Sequence, residues 1–461
     1  EYRPNAEGEI TCSDFFGGDL QGITEKLDYL SSLGVTTLYL CPIFEASTNH
    51  RYDTACYERI DPLLGDEKDF RTLCAEAKRR GIRVLLDGVF NHTGRKSVYF
   101  NADGFYPSLG AAQGEQSPYY RWYSFHPFPD DYDAWWGIKN LPAVNETEQS
   151  YVDYIIEGEH SIIRRWLRAG ASGWRLDVAD ELPDEFIARI RRAIEEERPD
   201  GYLLGEVWED GTTKIAYSKR RKYLLGRETH GLMNYPFRTA LLDFLRDGDA
   251  ADFRERMEEL REHYPAPAFY GAMNFLSTHD TPRLLTLLGH EGNAPAARDE
   301  RAAYLLSEEE KSRGTALLKL AALILYTFPG SPMLYYGDEA GMQGFEDPFN
   351  RGPYPWGHED ATLLRYFRQL GRLRQSHEAL QRGTIDYCAA QGRVLAFRRT
   401  SEGERCIAVV NAGEQSAALT LPWNAPLAQD ALTRQSFFCC DGLLRLTLEP
   451  YGAVLLVEPE N

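Results

Sequence analysis

The sequence predicts an α/β chain: a (β/α)8 TIM barrel with a subdomain inserted after the third strand and a C-terminal antiparallel β-sandwich. Three observations predict it. Apolar runs of strand length alternate with amphipathic helical patterns, residues 92–149 show neither period, and from Thr384 onward the pattern becomes one of short alternating strands.

The strand runs cover residues 35–44, 84–90, 173–179, 202–208, 232–235, 273–279 and 332–336. Helical patterns cover 20–33, 66–80, 150–169, 183–197, 238–245 and 308–327. Strands that alternate with helices build parallel βαβ units, and near-continuous apolar strands suit a closed barrel covered on its outer face. Residues 1–18 are polar and glycine-rich, so the first barrel strand is expected to precede this sequence. The division is then barrel over 1–91, inserted subdomain over 92–149, barrel again over 150–383, and sandwich over 384–461. The insert is too long for an ordinary loop. It carries Tyr119, Tyr120, Trp122, Tyr123, Tyr132, Trp135 and Trp136, most of which are expected to pack its own core.

Composition narrows the partners. A 43% hydrophobic content places the chain among folded proteins, and a net charge of −19 disfavours nucleic acid or an anionic membrane as partner. The basic runs 78–80 and 219–222 read as solvated faces. No apolar run approaches membrane-spanning length. The cysteines at 12, 41, 56, 74, 388, 406, 439 and 440 follow neither a disulfide framework nor a zinc spacing. Free thiols in a reducing compartment, the bacterial cytoplasm rather than the exterior, are the expectation.

Catalytic groups of such barrels stand at the C-terminal ends of strands. There the sequence puts Asp87 through His92, then Arg175 and Asp177, then Glu206 with Trp208, then His279 and Asp280; His50, Arg51, Tyr52 and Asp53 follow an earlier run. One residue between Arg175 and Asp177 sets a guanidinium and a carboxylate on one strand face, where a fixed cation keeps a nucleophilic carboxylate ionised. The same spacing also serves a structural ion pair. Glu206 follows an apolar strand instead, and two carboxylates in different settings divide a nucleophile from an acid, as glycosidic cleavage requires. Each group has a plainer reading alone: a structural hydrogen bond for Asp87, a satisfied histidine for His92 or His279, a helix cap for Asp280. Their occurrence together, in strand order, favours chemistry.

The segments 87–92, 173–181, 205–210 and 275–283 resemble the four ordered motifs of the α-amylase family (glycoside hydrolase family 13). The resemblance implies a retaining α-glucan hydrolase with Asp177 as nucleophile, Glu206 as general acid/base and Asp280 as the third carboxylate. It also implies that Tyr52, His92, Arg175 and His279 line the reacting subsite, and that Asp347 and Arg351 hold the next sugar. Leu141-Pro142-Ala143-Val144-Asn145 is similar to a motif of the neopullulanase, cyclomaltodextrinase and maltogenic amylase group. That group's substrates are maltooligosaccharides, cyclodextrins and pullulan, with α-1,4 and in part α-1,6 bonds cleaved. Its members use an N-terminal β-sandwich to dimerise, which this sequence lacks, so a homodimer stays open. No cofactor is required for the chemistry. Asp19 resembles a ligand of a structural calcium in the same group, or simply caps the first helix. A 4-α-glucanotransferase with the same active site and an inactive glucan-binding homologue are the alternatives.

Overall fold

The computed structural model describes Tyr2, Asn5 and residues 8–459. Two compact units divide the chain, Cys12–Met233 and Glu1–Thr11 with Asn234–Asn461.

In the first unit, helices α1 (Leu20–Glu25) and α2 (Leu27–Ser32) precede strand β1 (Thr37–Leu40). The 20–33 pattern is thus two short helices meeting at Lys26. An antiparallel pair that periodicity did not disclose follows, β2 (Phe44–Ala46) and β3 (Thr54–Ile60). The loop between them is tied by Asp53, whose carboxylate accepts from the backbone N–H of Ser47 (3.0 Å) and Thr48 (3.3 Å), and that loop carries Tyr52. Helix α3 (Glu67–Arg79) starts with a capping box between Asp66 and Asp69 and buries Phe70, Leu73, Cys74 and Ala77 as one stripe. Then come β4 (Arg83–Gly88), the insert, α4 (Gln149–Val152), α5 (Ile162–Ala169), β5 (Gly173–Leu176), α6 (Asp184–Glu197), β6 (Tyr202–Gly205), the hairpin β7–β8 (Ile215–Ala216, Lys219–Arg220) and β9 (Gly231–Leu232). The 150–169 helix is broken by a π turn at Asp153–Glu157 and by Gly158, where a Cβ would lie 2.7 Å from the Asp153 carbonyl.

Strands β1, β4, β5, β6 and β9 pair in that order as one parallel sheet. Asp87 of β4 stands beside Arg175 of β5, and Leu176 of β5 beside Gly205 of β6. The insert has no long regular element. Short 3-10 turns and aromatic contacts hold it: Trp122 meets Tyr99, Tyr119, Tyr151 and Tyr154 at centroid distances of 4.8–5.4 Å. Of the insert's aromatics, Trp122, Tyr123 and Tyr132 are buried, Tyr119, Tyr120 and Trp135 are half-buried, and Trp136 is exposed.

In the second unit α7 (Tyr235–Arg246) leads to β10 (Met273–Asn274), which pairs in parallel with β11 (Ser331–Pro332). Between them runs the helix Glu308–Thr327, opened by a Ser307–Glu310 capping box and buried over most of its second half. The seven sheet strands expected from the sequence are all present, and among the described residues no strand precedes α1.

From Thr384 the chain forms β12 (Thr384–Gln391), β13 (Val394–Ser401), β14 (Glu404–Asn411), β15 (Ala417–Pro422), β16 (Leu427–Asp430), β17 (Ser436–Phe438), β18 (Leu443–Leu448) and β19 (Ala453–Val457). Six of these make one sheet, ordered β12-β13-β14-β19-β16-β17, and β15 pairs with β18. Trp423, Leu421, Leu444, Leu446, Ile407, Val409 and Leu456 fill the space between the two layers. Two arginines of β13 and its leading turn reach into the same unit. Arg393 donates to the carbonyls of Leu245 (2.7 Å) and Gly248 (2.9 Å), and Arg399 to those of Thr327 (2.5 Å) and Gly383 (2.8 Å).

Gly173 opens β5 where a Cβ would come 1.9 Å from the Tyr202 carbonyl. Gly173→Ala is expected to force β5 off β6 and cost about 3 kcal/mol, read as a lower urea midpoint with an unchanged slope.

Candidate active site

In the Cys12–Met233 unit the site is built on one buried cation. Arg175 Nη1 lies 2.9 Å from Asp87 Oδ1 and 2.8 Å from Asp177 Oδ1, and Nη2 lies 2.8 Å from Glu206 Oε2. Adjacent parallel strands β4, β5 and β6 bring these groups to one level. Asp87 also accepts from the hydroxyls of Tyr39 (2.6 Å) and Tyr52 (2.9 Å), the structural role its plainer reading gave it. β5 ends at Leu176, not at Ala179. Val178 has φ 45°, a left-handed backbone that a β-branched residue rarely adopts. Its N–H donates to Glu206 Oε2 (3.0 Å), while Trp208 Nε1 donates to Glu206 Oε1 (3.1 Å). The turn after Asp177 is thus held by the second carboxylate.

The electrostatics of the site involve more than the Arg175–Asp177 pair. Burial pushes the Asp177 carboxyl well up, the charges of Glu206 and Asp87 add to this, and Arg175 opposes it without prevailing. Arg175 does not act on Asp177 alone, because the same guanidinium also meets Asp87 and Glu206. Burial raises Asp87 too, against Arg175 and the two tyrosine hydroxyls. One cation among three carboxylates favours keeping a proton in the cluster, the condition for an acid and a nucleophile to coexist.

His92 is buried, with Nδ1 2.6 Å from Asn91 Oδ1 and Nε2 3.1 Å from the Tyr52 carbonyl oxygen; its ring stacks on Trp135 at 5.4 Å. Burial lowers it to about 4, so near pH 7 the imidazole is neutral.

The second unit gathers its own predicted residues. Asp280 Oδ2 lies 3.1 Å from His279 Nε2, and Asp280 Oδ1 lies 3.7 Å from Arg351 Nη2. Arg351 Nε pairs with Asp347 Oδ1 (3.1 Å) and donates to the His279 carbonyl (3.0 Å). Asp280 is not a helix cap: the next helix, Leu284–Gly289, has Arg283 at its N-cap. The buried Asn350 amide reaches the carbonyls of His279 and Thr281, each at 2.8 Å, and so sets the loop that carries Asp280.

Sequence reasoning missed Tyr39, Asn350 and Glu181, which meets Asn91 Nδ2 at 3.3 Å. Tyr39 lies inside an apolar run where period alone marks it as core. Asn350 sits between Asp347 and Arg351, where only a loop's hydrogen-bond needs would reveal it. The Asp19 carboxylate accepts from the Gly22 N–H (2.7 Å) and caps α1. Among the described residues, the one group of three His, Cys, Asp or Glu ligand atoms close enough for a metal ion is His377, Glu404 and Cys406.

Residues 4–361 match the family described as alpha amylase, catalytic domain, and residues 389–455 the maltogenic amylase C-terminal domain. The chain belongs to the α-amylase family, and its fold is that of a TIM barrel followed by an antiparallel β-sandwich. An amylopullulanase of Thermoanaerobacter thermohydrosulfuricus is 40% identical over 85% of this chain, which spans 28% of that protein's length. A cyclomaltodextrinase of Geobacillus thermopakistaniensis is 34% identical over 98% of this chain and 72% of its own. Among solved structures, a cyclic α-maltosyl-(1→6)-maltose hydrolase of Arthrobacter globiformis superposes with a TM-score of 0.77 at 30% identity, covering 97% of this chain and 91% of its own.

The unfolded chain's histidine takes its proton near pH 6.5 and folded His92 only near 4, so the folded state loses stability as the pH falls across that window. Urea unfolding of wild type and His92→Asn at pH 7 and pH 4 should show wild type losing about 3 kcal/mol more than the variant.

Proposed function

We propose that the chain is a retaining α-glucan hydrolase that cleaves α-1,4 and in part α-1,6 bonds of maltooligosaccharides, cyclodextrins and pullulan. The observation that carries this reading is the single Arg175 guanidinium joining Asp87, Asp177 and Glu206 at the ends of three adjacent strands. The names of the relatives, cyclomaltodextrinase, neopullulanase and amylopullulanase, support the substrate class.

Asp177 attacks the anomeric carbon as Glu206 protonates the departing glycosidic oxygen, giving a β-glucosyl ester on Asp177. Glu206, now a carboxylate, takes a proton from water, which displaces Asp177 and releases an α-anomer. Arg175 compensates the charge that moves between the two carboxylates. Asp280 and His279 bind hydroxyls of the reacting sugar, and Tyr52 and His92 line it. Asp347 and Arg351 hold the neighbouring sugar, whose remote binding energy is used at the reacting bond. Cys56, Cys74, Cys388, Cys406, Cys439 and Cys440 are free thiols, and no helix among the described residues is long and apolar enough to cross a membrane. With the 34% identity to an intracellular maltogenic amylase of Bacillus subtilis, these thiols support a cytoplasmic setting.

Product formation from cyclodextrin, maltotriose, pullulan and soluble starch is expected, with cyclodextrin and pullulan the faster substrates and the initial product the α-anomer by NMR. Release of the β-anomer would overturn the retaining mechanism. Asp177→Asn should lower kcat at least 10³-fold, on the order expected for a lost nucleophile, while maltooligosaccharide binding persists. Glu206→Gln should lose natural glucans yet spare the first step on glycosides with good leaving groups; equal loss on both would reassign the acid.

A further inference from the structure

Two aromatic side chains of the Cys12–Met233 unit are displayed to solvent from backbone that does not favour them. Trp136 is 81% exposed at φ 50°, and Tyr217 is 70% exposed at φ 51°. Tyr217 and Ser218, both at positive φ, make the two-residue turn of the β7–β8 hairpin, a place where Asn-Gly is the unstrained choice. Neither ring is retained for burial, and both are fixed by their polar atoms to one residue. Trp136 Nε1 donates to Glu181 Oε1 (2.8 Å), and Tyr217 Oη donates to the Glu181 carbonyl (3.1 Å).

Fastenings on either side keep the hairpin in place. Lys214 Nζ pairs with Asp180 Oδ2 (2.9 Å), Arg221 Nη1 donates to the Asp180 carbonyl (2.7 Å), and Arg221 Nε pairs with Asp184 Oδ1 (2.5 Å). Three segments far apart in sequence therefore meet at Glu181: the insert, the turn after Asp177 and the hairpin. A short path joins this point to the site, since Asn91 touches both Glu181 (3.3 Å) and His92 (2.6 Å), and Trp135 stacks on His92. Trp208 differs in that its indole is bonded to Glu206 itself and belongs to the site already described.

We infer that Trp136 and Tyr217, posted on Glu181, form a carbohydrate-binding platform for a glucose unit of the α-glucan lying away from the bond that is cleaved. This rests on the proposed function and adds a chain-length determinant to it. An exposed ring offers a flat apolar surface to the C–H face of a pyranose, and a ring already fixed loses little rotamer freedom when sugar arrives. Strain and exposure at the same two residues are the pattern expected of groups retained for contact.

The test compares kcat/KM on maltoheptaose and maltotriose for the full chain and for Trp136→Ala, Tyr217→Ala, Trp136→Phe and Tyr217→Phe, with the thermal midpoint of each. The expected result is a ratio of maltoheptaose to maltotriose that drops roughly tenfold in each alanine variant, with the phenylalanine variants close to wild type. Equal loss on both lengths, or no loss on either, overturns the platform. If wild type cleaves neither oligosaccharide, the proposed function is what has failed. Calorimetric binding of maltoheptaose to Asp177→Asn, with and without Trp136→Ala, then decides the platform separately: unchanged affinity rejects it, and a roughly tenfold loss upholds it.

Discussion

The charge on Arg175 is the constraint on which the site depends. A guanidinium with no exposed side-chain surface survives only where its desolvation is offset by close anions, and the first unit supplies three of them within 2.9 Å. Each anion in turn needs the cation, because a buried carboxylate without a partner would stay protonated or open the structure. The strand register, the tyrosines on Asp87 and the turn at Val178 all serve one geometric demand: three carboxylates must arrive at one guanidinium together. Removing any one of them would leave the others miscompensated, so the cluster behaves as a unit and not as a sum of pairs.

Around that cluster the molecule uses side chains to fix loops. Asp53 ties the segment that carries Tyr52, Glu206 holds the Val178 N–H after Asp177, and Asn350 holds the carbonyls around Asp280. A catalytic or binding group on a loop is only as well placed as that loop's backbone hydrogen bonds allow. Here those bonds are made by polar residues that are themselves buried or nearly so.

Much of this was legible in the sequence, for reasons that differ from place to place. The parallel strands were visible because buried strands are continuous apolar runs, and Glu308–Thr327 because its pattern is helical over a long stretch. Asp177, Glu206 and Asp280 stood out as carboxylates at strand ends. The 150–169 helix was misread as continuous because a π turn preserves apolar spacing while moving the axis. The β2–β3 pair escaped because β2 is three residues long and its register shifts twice. The upward push on the Asp177 carboxyl could not be read from Arg175 alone, since burial and the sum of three carboxylates around one cation are properties of the fold. Tyr39 and Asn350 were invisible for the same reason: their roles lie in partners 48 and about 70 residues away.

The two arginines Arg393 and Arg399 give the C-terminal sheet a role beyond its own packing. The last carbonyls of a helix have no partner within it. Here Arg393 answers the end of α7 and Arg399 the end of Glu308–Thr327, each from the β13 side of the sheet. The sheet thus acts as a shared stopper for two helices, and its guanidiniums sit where helix dipoles favour positive charge. Exchanging this sheet for that of a relative is therefore an exchange of helix termini as well. A graft that keeps the β-strands but loses these two side chains would leave intact layers on frayed supports.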